Sequence, residues 1–207
     1  MRRMLRRCNL RAPLRNDARL GHLHLMSVGF KEWALICEAL GHGEQSIILR
    51  KGGIAEGRAG FQFKYDDFFL FPTLFHEQIA QLKLLGASRL PEPRKDGMVE
   101  IQYRVRVEWT QQLDDLAVAE RLAPFHLWQN SVIEERFRYD GKNALNLAFV
   151  RVAKLSSPFV FPDSPKFGGC RSWVDLPEPP AEITATEVLN EAEHHARESQ
   201  IRSALRH

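Results

Sequence analysis

The sequence predicts an α+β fold: a curved, largely antiparallel sheet with flanking helices, plus a polar C-terminal helix. Three observations carry this expectation. Val99, Ile101, Tyr103, Val105, Val107 and Trp109 alternate with Glu100, Gln102, Arg104, Arg106 and Glu108, the period of a strand with one buried and one wet face. Residues 145–152 are apolar on both faces, as in a central strand. Helical and extended patterns also follow one another without the regular strand–helix alternation of a parallel α/β fold.

Taken in order, residues 30–40 read as a helix, with Trp33, Ile36, Cys37 and Leu40 on one face and Gly41-His42-Gly43 ending it. Residues 46–49 form a short strand that opens into Arg50-Lys51-Gly52-Gly53. Two strands, 60–65 and 68–71, follow around Asp66 and Asp67, and a helix over 75–85 starts after Pro72 and Thr73. Residues 91–97 are a solvated loop before the alternating strand. A helix over 113–122 has its own acids, Asp114 and Asp115, at the positive end of its dipole. Residues 132–139 and 145–154 read as a hairpin about Asp140-Gly141-Lys142. Proline-rich connectors, 156–165 and 177–180, hold 168–176 between them. The last element is a polar helix over 186–205, started by the capping-box pattern Thr184-x-x-Glu187.

At 207 residues the chain is one domain plus appendages, and 44% hydrophobic with 27% charged residues exclude wholesale disorder. The net charge of +3 divides unevenly: residues 1–25 carry seven arginines against Asp17, so the remainder is mildly acidic. Residues 1–27 are therefore expected to be a disordered basic arm, or upstream sequence from an over-long start. Residues 28–176 are expected to be a single domain, and 177–207 a linker and helix. Three widely spaced cysteines, Cys8, Cys37 and Cys170, build no disulfide framework. No apolar run approaches the ~20 residues of a membrane span. A cytoplasmic location without membrane attachment is the expectation. The sequence sets no oligomeric state.

Familiar catalytic patterns fail one by one. Gly52 to Ala59 has the outer glycine spacing of a phosphate loop, but Arg58 and Ala59 replace the Lys and Ser/Thr that reach phosphate and magnesium. His76-Glu77-Gln78 begins like a zinc-protease helix, yet Ala80 stands where the second histidine belongs. His76, Glu77 and His126 remain weak acid–base candidates. Cys170, beside Arg171, is a weak nucleophile candidate whose expected role is a buried structural thiol. No metal site and no cofactor are expected. The stronger set is cationic. Arg50 and Lys51 precede paired glycines, Gly52 and Gly53, whose amides suit an oxyanion. Arg104 and Arg106 share the wet face of one strand, and Arg136 lies on the expected hairpin. Trp128, Phe68, Phe69 and Trp173 are candidate stacking surfaces for bases.

Five stretches look familiar: Leu49 to Ile54, Phe69 to Gln78, His126-x-Trp128, Glu135-Arg136-Phe137 and Gly169 to Trp173. They resemble the blocks of an uncharacterised bacterial family known only as a domain of unknown function. The resemblance covers residues 28–176. It implies a setting near DNA restriction or modification, because some relatives are fused to restriction-endonuclease-like regions, and it transfers no catalytic residue. The leading expectation is a non-enzymatic module partnered by DNA or RNA through Arg50, Lys51, Gly52, Gly53, Arg104, Arg106, Trp128 and Arg136. A small hydrolase or nuclease-like enzyme using His76, Glu77 and His126 is the first alternative. A protein-interaction module using the C-terminal helix is the second.

Overall fold

The computed structural model describes residues 27–51, 61–73, 76–83 and 97–206. The basic arm, the Gly52–Gly53 pair with the segment after it, and the solvated loop up to residue 96 lie outside the described residues.

Two long strands form the spine. β4 (Met98–Leu113, 16 residues) pairs antiparallel with β5 (Leu145–Pro162, 18 residues), from Met98 opposite Pro162 to Leu113 opposite Leu145. The alternation read from β4 puts Val99, Ile101, Tyr103 and Val105 inside, each at most 3% exposed. β2 (Ile47–Arg50) pairs with the other edge of β5, which is buried on both faces over Leu147–Val150, with Trp109 and His194 packed on Phe149. β7 (Ala185–Glu187) continues that edge beside Ala153 to Leu155. β3 (Asp67–Thr73) lies antiparallel to β4. β1 (Val28–Trp33) lies parallel to β3, and β6 (Trp173–Asp175) lies antiparallel to β1. The seven-stranded order is β2-β5-β4-β3-β1-β6, with β7 on β5, and among the described residues β1–β3 is the one parallel pair. Register irregularities in β4–β5, between Ile101 and Tyr103 and between Val107 and Trp109, bend the spine. Four strands separate β2 from β6 in this order, yet Arg50 of β2 touches Ser172, one residue before β6. The sheet therefore curls, bringing its two outer strands together.

Several elements differ from the sequence reading. Residues 30–33 belong to β1, and the helix α1 is Ala34–Gly41, because the stretch from Val28 pairs with strands on both sides and tertiary pairing overrides helix propensity. Residues 61–65 are not a strand, and the expected helix over 75–85 is a short 3₁₀ turn, His76–Gln81, followed by a bridge from Leu82 to Trp128. Helix α2 (Leu116–Arg121) is where expected, capped by the Asp115 side chain accepting from Ala117 N–H at 2.9 Å. The expected hairpin strand 132–139 is instead helix α3 (Asn130–Arg138). Its buried residues, Val132, Ile133 and Phe137, fall on one helical face, a 3.6-residue period mistaken for alternation. The first proline-rich connector is the second half of β5, with Phe159 and Phe161 buried.

The C-terminal helix α4 (Glu191–Arg206) starts five residues later than expected, after β7. Its capping box is Asn190 with Glu193: each donates a backbone N–H to the other's side chain at 3.0 Å. The helix is polar but docked. Ile201 is fully buried, Trp109 Nε1 donates to Glu198 at 2.9 Å, and Arg197 donates to the carbonyls of Glu44 and Gly43 beyond α1.

One close approach fixes how α1 seats on β4. A Cβ on Gly41 would stand 2.1 Å from the Tyr103 ring, which is 3% exposed and donates to Glu38 at 3.1 Å. Gly41→Ala should therefore cost roughly 1–3 kcal/mol by overpacking. A denaturant midpoint equal to the wild type would show that Tyr103 yields freely.

Candidate anion and nucleic-acid interface

Side chains alternate along β1, so Phe30 and Glu32 face inward and Lys31 faces the other side. Phe30 is fully buried and Glu32 is 1% exposed. An inward carboxylate needs partners. Glu32 Oε1 accepts from the Trp33 N–H at 2.8 Å, and Oε2 lies 3.8 Å from Arg50 Nη1. Thr73 Oγ1 donates to the Glu32 carbonyl at 3.0 Å, tying the ends of β1 and β3 together.

Arg50 arrives from β2 through the curl of the sheet. Its side chain is 21% exposed, its Nη2 donates to Ser172 Oγ at 3.3 Å, and its guanidinium lies 5.1 Å above the Phe30 ring. Arg136 arrives from α3. Its guanidinium lies 3.7 Å from the Trp128 ring centre and 5.3 Å from that of Trp33, two tryptophans packed edge to face at 4.4 Å. Such cation–π contacts hold a guanidinium without using its N–H donors. Burial lowers the Arg136 pKa to about 10, with Glu32 pulling it up and Arg50 pushing it down. Arg136 nevertheless donates no hydrogen bond and forms no ion pair among the described residues. Two arginines thus feel one buried carboxylate, and one of them spends none of its donors on another described residue.

The rim adds charge and rings. Lys31 Nζ donates to the Gly169 carbonyl at 3.0 Å, and its pKa is lowered by burial and then by the nearby Arg171 charge. Trp173 packs at 4.9 Å from Phe30 and 5.1 Å from Tyr65, which is 41% exposed. The Trp173 Nε1 is buried without an acceptor.

The other residues singled out from sequence go elsewhere. Lys51 Nζ donates to the carbonyls of Phe137 (3.0 Å), Lys142 and Ala144 (3.1 Å). It thus satisfies the negative end of α3 and is not a solvated cation facing an anion. Arg104 forms a two-pronged pair with Asp67 at 2.6 and 2.7 Å, and Arg106 pairs with Glu108 at 3.2 Å, so both exposed arginines on β4 are matched by acids. Trp128 is fully buried and offers no face to a base; it supports Arg136 from below. Phe68 is also buried, and Phe69 packs against Phe159. Cys170 is exposed, not a buried structural thiol, because the turn carrying it stands proud of Phe167 and Ser172, which are buried on either side. His126 is 5% exposed, and neither ring nitrogen makes a well-formed hydrogen bond among the described residues. Burial, helped by the Lys83 charge, pushes its pKa down to about 3, far from where a general base works. The side chains of His76 and Glu77 lie outside the described ones. Among the described residues no group of three or more His, Cys, Asp or Glu gathers to hold a metal.

The sequence reading missed Glu32, Lys31 and Ser172. Read as a strand, Phe30-x-Glu32 would have placed a carboxylate on an inward face, an anomaly that marks a partnered charge.

The class of protein so defined is a curled, mostly antiparallel α+β domain with a cationic recess where its outer strands meet. The chain belongs to the family described as Domain of unknown function (DUF1802), which matches residues 29–200 and so extends into α4. It is similar in structure to ASCH from Zymomonas mobilis, at 12% identity over 86% of this chain and 94% of that one, with a TM-score of 0.40. A mutant of the same Zymomonas mobilis protein aligns at 13% identity over 84% of this chain and 95% of that one, with a TM-score of 0.41. No curated protein matches the chain. Among the described residues no helix is long and apolar enough to cross a membrane.

Proposed function

We propose that this domain is a non-enzymatic nucleic-acid-associated module that holds a phosphate of DNA or RNA between Arg50 and Arg136. The observation that carries this reading is Arg136, a recessed guanidinium fixed by two tryptophans with no hydrogen bond among the described residues. A side chain with five donors in a fixed fork, beside a second arginine, suits a phosphate. Tyr65, 41% exposed and packed on Trp173, is the ring that reaches solvent on this side. Duplex DNA is the natural first probe, given the restriction or modification setting that the family resemblance implies.

The test is a salt titration of single- and double-stranded DNA and RNA against the full chain and Arg136→Met, with the exposed Arg138→Ala as a control. Arg136→Met should flatten the plot of log affinity against log salt by about 0.7–0.9, one phosphate contact. Arg138, paired with Glu134 at 3.0 Å, should change little. Equal slopes for wild type and Arg136→Met on every probe would remove the recess from nucleic-acid binding.

A further inference from the structure

Resting on that reading, we infer that the recess takes the terminal phosphomonoester of a single strand, entering end-on. Depth argues for an end. Trp128 beneath Arg136 is fully buried, Glu32 is 1% exposed and the Arg50 side chain 21% exposed, so the donors lie below the surface. A phosphate within a duplex sits between two sugars on a stiff cylinder and stays at the rim, whereas a chain end reaches in.

Donor number argues for a monoester. Arg50, Arg136, Lys31 and Arg171 against the nearby Glu32, Glu135 and Asp163 leave the region net positive by one charge, so charge admits an anion without selecting its kind. A terminal monoester brings three strong acceptor oxygens, where an internal phosphodiester leaves two unbridged. Arg136 spends none of its fork on another described residue, and Arg50 uses one donor on Ser172 and lies 3.8 Å from Glu32 without a close bond to it. The ring surface then fixes direction. Phe30 lies beneath Arg50, Trp173 against Phe30, and Tyr65 against Trp173 at the exposed end. Trp173 is itself packed among Phe30, Phe61 and Phe68, so a strand whose end is held at Arg136 meets the exposed Tyr65 ring with its first base.

The experiment compares three fluorescently labelled single strands of one sequence, with a 5′-phosphate, a 3′-phosphate or two hydroxyl ends, against the full chain by anisotropy. One phosphorylated strand should bind at least tenfold tighter than the hydroxyl strand. Arg136→Met should bring it down to the hydroxyl level and leave hydroxyl-strand binding unchanged. The basic arm meets all three strands in both proteins, so the difference reports the recess. Three equal affinities in the wild type would overturn the inference and leave the broader reading standing, a comparison that needs no folded variant. Loss of all three strands to the same extent in Arg136→Met would sink the terminal phosphate and keep the recess as a general contact. No effect of Arg136→Met on any strand would end both. Inorganic phosphate should displace the phosphorylated strand only weakly. Displacement at concentrations matching the strand's own affinity would assign the recess to free phosphate and overturn the strand.

Discussion

Replacing Glu32 with glutamine should weaken folding and tighten anion binding in the same protein. Glutamine keeps the size of the side chain and an oxygen for the Trp33 N–H, so the change isolates the charge. In the wild type that charge is 1% exposed and balances Arg50 at 3.8 Å while also pulling on Arg136. Breaking a fully buried pair by removing one partner costs 3–5 kcal/mol, because the other charge is left without compensation. Arg50 keeps some contact with water, so a loss of about 2 kcal/mol is expected here. The same substitution frees both arginines from their internal competitor, so affinity for a phosphorylated strand should rise several-fold. Phosphate in the buffer should then stabilise Glu32→Gln more than the wild type, since a ligand that binds only the folded state shifts the folding equilibrium. Denaturant midpoints with and without phosphate decide the matter. Unchanged stability together with unchanged affinity would mean that Glu32 does not hold the two arginines in balance.

The parts of the fold that were legible were those in which local pattern and tertiary role coincide. β4 has one wet face for most of its length, so its alternation was plain, and β5 lies between β4 and β2, so its two-sided apolar run was equally plain. α3 was not legible in the same way. Val132, Ile133 and Phe137, with polar residues between them, fit a short strand almost as well as two turns of helix. β1 was hidden because Lys31 and Glu32 are good helix formers and Trp33 falls in one helical period with Ile36, Cys37 and Leu40, whereas the two flanking strands keep the stretch extended. The second half of β5 was hidden by its prolines, Pro158 and Pro162, which suggest a connector.

The site divides along the same line. Arg50 and Arg136 could be picked out as cations, but their meeting depends on the curl of a seven-stranded sheet, which no local window contains. Trp128 was visible as an aromatic beside cations, and sequence cannot say which face of such a ring is wet. In the fold Trp33 and Arg136 lie over it and leave it fully buried. Arg104 and Arg106 illustrate the converse. Their exposure was read correctly, but Asp67 and Glu108 were not seen as their partners, because one lies on a neighbouring strand and the other two residues along the same face.

Exchanging Arg151 for methionine should loosen the seat of α4, in a way that depends on pH. The Arg151 side chain is 10% exposed and joins four elements: Glu108 of β4 at 3.1 Å, Glu187 of β7 at 2.9 Å, Glu191 of α4 at 2.9 Å, and its own strand β5. It also donates to His194 Nδ1 at 3.1 Å, and His194 is buried against the Phe149 ring at 4.6 Å. Burial alone would lower the Arg151 pKa, but the hydrogen bonds that it donates to Glu191, Glu187 and Glu108 overcome it and hold it above its ordinary value. Hydrogen bonds to charged groups contribute about 1.5–3 kcal/mol where they are sheltered. Glu191 and Glu187 are largely in water, so the whole hub is expected to contribute about 2 kcal/mol rather than the sum of its bonds. The Arg151 hydrogen bonds hold the Glu191 pKa below its usual 4.5. For Glu198, burial works in the opposite direction, but the bonds from Arg202 and Trp109 prevail and lower its pKa as well. A carboxyl whose folded pKa is depressed adds stability above its unfolded value and loses it as pH falls through the folded one. The Glu191 contribution is therefore present at neutral pH and fades below about pH 4.5. Arg151→Met has already lost it, so the gap between the two proteins should be widest at neutral pH and narrow towards pH 3. Trp109, hydrogen-bonded to Glu198 and covered by the Arg202 guanidinium at 4.4 Å, reports the seating of α4 by its fluorescence. Denaturation curves that stay parallel from pH 7 to pH 3 would show that the carboxylates around Arg151 do not hold α4 in place, and would leave that to Ile201 and the contacts of Arg197, Glu198 and Ala204.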